Sequence, residues 1–105
     1  MLKVLKVSGN SLFPKFSEGD FVVVCKIPFF FNKSTRQGDI IIFEHVDYGL
    51  MIKMVESVSP DGYHIWVIGT HPDSTDSRDF GFISMQSVIG KVIGHIPKPE
   101  KHKHF

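Results

Sequence analysis

Cysteine is nearly absent. The 105-residue chain holds one, Cys25, inside the apolar run Val22-Val23-Val24-Cys25. A single thiol closes no disulfide within the chain, and this setting predicts a buried, unpaired side chain, which excludes redox chemistry and a disulfide scaffold. An excess of one charge is also lacking: 12 basic residues stand against 11 acidic ones, net +1, and the basic residues are scattered. That field is too weak to argue for nucleic acid. No apolar run reaches the roughly 18 residues that span a bilayer, and the start of the chain lacks the apolar region of a signal peptide. A cytoplasmic or peripheral-membrane protein with no transmembrane segment is expected. Glycine-rich phosphate loops are missing as well. The 6 histidines form no tight ligand motif, and Asp73, Asp76 and Asp79 have neither the spacing nor the terminal glutamate of a calcium loop. No metal and no cofactor is expected.

Sustained helical periodicity is the last absence, and it leaves strand signals in charge. β-Branched and aromatic runs at 2–7, 21–26, 40–43, 50–55, 63–68 and 88–96 lie between Gly, Asp, Asn and Pro punctuation. The fold class is therefore mainly β, a small antiparallel barrel or sandwich. The length suits one domain, read as residues 1–97 with a basic tail at 98–105. Gly19-Asp20 and Gly38-Asp39 launch two of the strands. Asp47-Tyr48-Gly49 and Ser59-Pro60-Asp61-Gly62 are turn signals, and 84–87 suits one helical turn. Gly90 and Gly94 mark bends or close backbone approach in the last strand. Residues 69–82 read as a long polar loop, which in so small a domain calls for a function. Phe29-Phe30-Phe31 cannot all point to one face of a strand. They either cap the core or offer a substrate or membrane-surface contact.

Two residues stand out chemically. Ser11 sits on a turn between strand-like segments, in Gly9-Asn10-Ser11-Leu12-Phe13-Pro14, where a hydroxyl is exposed and a backbone N–H points outward. Such a serine is either a hydrogen-bonding turn residue or a nucleophile. Lys53 lies within Met51-Ile52-Lys53-Met54-Val55, apolar on both faces. It is either an edge-strand lysine that snorkels to water or a desolvated one, whose lowered pKa makes it a base.

These segments in order resemble the boxes of the signal peptidase I family. The first is Ser11 with its following proline, then Gly19-Asp20 and the valines. The second is Gly38-Asp39-Ile40-Ile41-Ile42-Phe43 with Ile52-Lys53-Met54-Val55. The third is Gly69 through Ser74-Thr75-Asp76-Ser77-Arg78, with Gly90-Lys91-Val92 beyond. The resemblance implies a signal peptidase or LexA-like fold and a serine endopeptidase with a Ser-Lys dyad, a variant of the Ser-His-Asp arrangement. Ser11 would be the nucleophile and Lys53 the general base, with Ser74 hydrogen-bonded to the lysine and Asp76 and Arg78 paired to hold the loop. On residue type alone, that last pair is a solvated surface contact of little worth. The substrate would be an extended polypeptide that loses a leader or signal-like segment from its amino end. Size and loop motif bring the chain nearest the compact members, such as proteases that mature nickel-type superoxide dismutase.

The chain also departs from the family's boxes. Gly9 replaces a serine that lends a hydroxyl to the oxyanion hole, leaving the Ser11 backbone N–H with Gly9 and Asn10. Met54 replaces the usual arginine after the lysine. The competing reading is a non-catalytic binding or dimerisation module on the same fold, as in repressor-type relatives. A buried, unpaired Lys53 argues against that module, and a salt-bridged or exposed one argues for it.

Overall fold

The computed structural model describes residues 2–7, 18–26 and 35–97. Seven strands form one antiparallel sheet: β1 (Leu2–Lys6), β2 (Phe21–Lys26), β3 (Ile40–His45), β4 (Gly49–Val58), β5 (His64–Ile68), β6 (Ile83–Ser84) and β7 (Val88–Ile96). Their order is β1-β2-β7-β3-β4-β5-β6. One short helix, α1 (Ser77–Phe80), precedes β6, and a 3₁₀ turn at Met85–Ser87 leads into β7.

The two Gly-Asp launches share one backbone scheme. Gly19 and Gly38 both sit at φ 92°, a left-handed conformation that favours glycine. Gly19 N–H donates to the Val7 carbonyl while Val7 N–H donates to the Asp20 carbonyl, at 2.9 and 2.7 Å. Gly38 and Asp39 repeat the exchange with Val55, at 2.8 Å each way. A side-chain contact then ties each aspartate to β7. Asp20 meets His95 at 2.8 Å and Asp39 meets Lys91 at 3.1 Å. The two strand starts are thereby clamped to the strand that runs between them.

Bulges bend β7 against both neighbours, with register shifts opposite Val23/Val24 and opposite Ile42/Phe43. Gly90 lies at this bend because nothing larger fits. A Cβ there would stand 2.6 Å from the Cys25 carbonyl oxygen.

β3 separates two cores. Ile40 and Ile42 join Val7, Val22 and Val24 on one face, while Ile41 and Phe43 join Val55, Ile65, Val67, Ile83 and Met85 on the other. A strand buried on both faces reads as a continuous apolar run, which is what 40–43 shows. β4 divides its residues likewise, with Ile52 and Met54 toward the first core and Met51 and Val55 toward the second.

The fold is the mainly antiparallel β structure that the sequence predicts. Three local expectations change. The 69–82 segment is not irregular throughout, because Asp76 nucleates α1 with a capping box. β4 runs on to Val58 past a bulge opposite Val67 and Trp66. Cys25 is half-buried rather than buried, and free. The expected basic tail at 98–105 and the Phe29-Phe30-Phe31 cluster lie outside the described residues.

Candidate active site

Lys53 is carried on β4 directly opposite Ile41 of β3, so both side chains enter the second core. β4 is flanked by β3 and β5, which rules out the edge-strand reading. The side chain is 2% exposed. Among the described residues it forms no ion pair. Burial therefore pushes its ammonium below the ordinary lysine value. Asp76 and Asp79 oppose that shift and Arg78 reinforces it.

The neighbouring charges come from the segment after β5. Asp76 is 0% exposed. Its carboxylate accepts from the Arg78 guanidinium through both oxygens, Nε to Oδ1 at 2.9 Å and Nη2 to Oδ2 at 2.6 Å. It also accepts from the backbone N–H groups of Gly69 and Arg78, at 2.9 and 3.0 Å. Burial works against its charge, but the Arg78 guanidinium and these two amides outweigh that. They hold the carboxyl well below the usual carboxylate range. Asp76 N–H in turn donates to Asp79, closing the capping box of α1. The solvated-surface reading of this pair fails because one partner is wholly buried.

Ser74 is placed differently from the hydrogen bond to lysine that the resemblance implies. Its hydroxyl donates to Asp76 Oδ2 at 3.3 Å and lies 3.5 Å from Arg78 Nη2. Among the described residues no hydrogen bond joins it to Lys53. The Asp76 carboxylate and the Arg78 guanidinium take up the Ser74 hydroxyl instead.

Sequence reasoning assigned no role to Ser77. It is 1% exposed, and its hydroxyl oxygen accepts from the Val67 N–H of β5 at 2.8 Å. Its place in the third box, between Asp76 and Arg78, is the one signal that marked it. α1 is further seated by Phe80, whose ring lies 6.4 Å from Phe43 and 4.6 Å from His45. Ser11, Gly9 and Asn10 lie outside the described residues, so the described half of the site is the lysine and its charged support. A desolvated amine fixed on a central strand beside a locked carboxylate–guanidinium pair is equipped to accept and return a proton. Among the described residues, no group of three or more His, Cys, Asp or Glu side chains is placed to hold a metal ion.

A family model described as Peptidase S24-like matches residues 1–93. The chain belongs to the S24-like peptidase family. This is a family of serine peptidases whose members include non-catalytic ones. The match covers β1 to β6, the first two-thirds of β7, Lys53 and the 69–82 segment together. It is coarser than the signal peptidase I resemblance, and it singles out neither that family nor the maturation proteases. No curated protein matches the chain. Within this S24-like domain, no helix of the described residues is long and apolar enough to cross a membrane.

Proposed function

We propose that this S24-like chain is an active serine endopeptidase with a Ser11-Lys53 dyad. The observation that supports it is the burial of Lys53 without an ion-pair partner among the described residues. A non-catalytic module gains nothing from a desolvated amine there, since an apolar side chain would hold the core at lower cost. In the proposed mechanism, neutral Lys53 Nζ takes the Ser11 hydroxyl proton as the oxygen attacks the scissile carbonyl. Backbone N–H donors around Gly9, Asn10 and Ser11 receive the oxyanion. The Lys53 ammonium then returns the proton to the leaving amine. In the second half, neutral Lys53 takes a proton from water as it attacks the Ser11 ester, and its ammonium protonates the departing Ser11 oxygen as the acyl group leaves as a carboxylic acid. Asp76 and Arg78 keep Lys53 in place, and Ser74 supports them by bonding the carboxylate.

The substrate in this reading is a polypeptide docked in extended form, losing a leader or signal-like segment from its amino end. Phe29, Phe30 and Phe31 are proposed as a peripheral membrane or substrate contact. The test is to map new amino termini generated in a protein extract and in a panel of leader peptides by wild type, Ser11→Ala and Lys53→Ala. Cleavage lost in both variants supports the dyad. Cleavage that survives Ser11→Ala contradicts it, and a wild type that cuts nothing shifts the reading to a binding module.

A further inference from the structure

β6 is only two residues long and pairs with β5 at His64 and Ile65 alone, so among the described residues the β6-side edge of β5 has no partner strand from Trp66 onward. N–H groups two residues apart leave an extended strand on the same edge, and a buried one needs an acceptor. Two side chains supply those acceptors. Val67 N–H donates to Ser77 Oγ at 2.8 Å, and Gly69 N–H donates to Asp76 Oδ2 at 2.9 Å. The 74–78 segment thus bonds to β5 as a strand would, but through consecutive side chains rather than backbone carbonyls.

We infer that Ser77 is a positioning residue of the site, a surrogate strand partner that fixes the Asp76–Arg78 pair over Lys53 and keeps water from it. Three facts carry this. Ser77 is 1% exposed, its oxygen is the acceptor for a buried β5 amide, and it is joined by one peptide bond to each member of the ion pair. Asp76 anchors the same edge one step further along, so displacing Ser77 loosens both contacts. The charged groups acting on Lys53 flank Ser77 on one short stretch, 76–79: Asp76, Arg78 and Asp79. Desolvation is the largest influence on its ammonium, so a loosened segment that admits water moves Lys53 back toward the ordinary lysine value.

The inference rests on geometry that stands whether or not the chain cleaves peptides, and its test keeps the two apart. The full chain, with side-chain-labelled lysine, is titrated by NMR as wild type, Ser77→Ala and Ser77→Thr. Cleavage is followed against pH with the same proteins. In Ser77→Ala the Lys53 midpoint moves to higher pH by about half a unit or more, a roughly threefold change in proton affinity. Ser77→Thr, which keeps the acceptor, restores it. The rising limb of cleavage against pH moves with the midpoint where cleavage is measurable. If Ser77→Ala does not fold, Ser77→Cys keeps the volume, weakens the acceptor and is read the same way. A folded variant whose Lys53 midpoint is unchanged, or a threonine variant that shifts as alanine does, overturns the inference. A shifted midpoint in a chain that cleaves nothing upholds the inference and counts only against the peptidase reading.

Discussion

On one face of β3, Ile40 and Ile42 enter a core built from valine and isoleucine; on the other, Ile41 and Phe43 enter one that adjoins buried Lys53, Asp76 and Ser77. The same strand supports both, and its alternation assigns each residue to a side. The first core requires only area and fit. The second adjoins a desolvated amine and a carboxylate with several donors, both costly to bury unless each is compensated. Asp76 is compensated in full by Arg78 and two amides, whereas Lys53 is not compensated by any ion pair among the described residues. The difference between the faces separates what holds the fold from the buried amine that the proposed peptidase reading uses for chemistry at a cost in stability.

That comparison breaks most sharply at Lys53. Lys53→Met is expected to abolish cleavage, a loss of about 10³-fold or more, while raising stability at neutral pH by about 1–2 kcal/mol. Denaturant midpoints and peptide cleavage, measured on one preparation, check both halves. The stability difference also depends on pH. A lysine that binds its proton less readily in the fold than in the unfolded chain lowers stability below its folded pKa. Stability then recovers as pH rises from that value toward about 10.4. The rise should be present in wild type and missing in Lys53→Met.

Next in size is the loss of Asp76. Asp76→Ala removes the acceptor of the guanidinium and of two amides, at a cost of about 3 kcal/mol in urea unfolding. Because the folded carboxyl is held below the usual range, its contribution is complete above about pH 3.9 and disappears as pH falls through the folded value. The variant should therefore lose part of the wild type's acid-side decline in stability.

Gly90→Ala probes packing without chemistry. The new methyl meets Cys25 backbone and Val24 at 2.6 Å, and backbone cannot rotate away. A cost of about 1–3 kcal/mol is expected, with the Lys53 titration unchanged. The smallest effect should come from Ile42→Val in the first core, about 1 kcal/mol with cleavage retained. Loss of activity from either substitution out of proportion to stability would blur the distinction between the faces.

Six of the strands were legible because their β-branched and aromatic runs are set off by turn signals, with Phe21–Lys26 and Val88–Ile96 read to the residue, whereas the two-residue β6 is too short to show a strand pattern. The end of β4 was not, since Glu56 and Ser57 interrupt the apolar pattern where the bulge falls. Lys53 admitted two readings because a local run does not encode whether its strand is central or edge. Its apolar neighbours on both sides nonetheless marked the position. The four-residue α1 is too short to show a helical period and is held by its capping box. The role of Ser77 was not legible for a related reason, because the amide it serves is left open only by the shortness of β6, which is a property of the topology. Ser11 stands as a candidate nucleophile on its turn and its order with the later boxes alone, and it lies outside the described residues.

The claim that decides between a peptidase and a module is that Lys53 can shed its proton near the working pH. The direct measurement is the titration of the Lys53 side chain by NMR in the wild-type chain, with the other lysines as internal references. The account predicts a midpoint clearly below the ordinary lysine value of about 10.4, with the exposed lysines at it. A Lys53 midpoint at or above theirs would contradict the account.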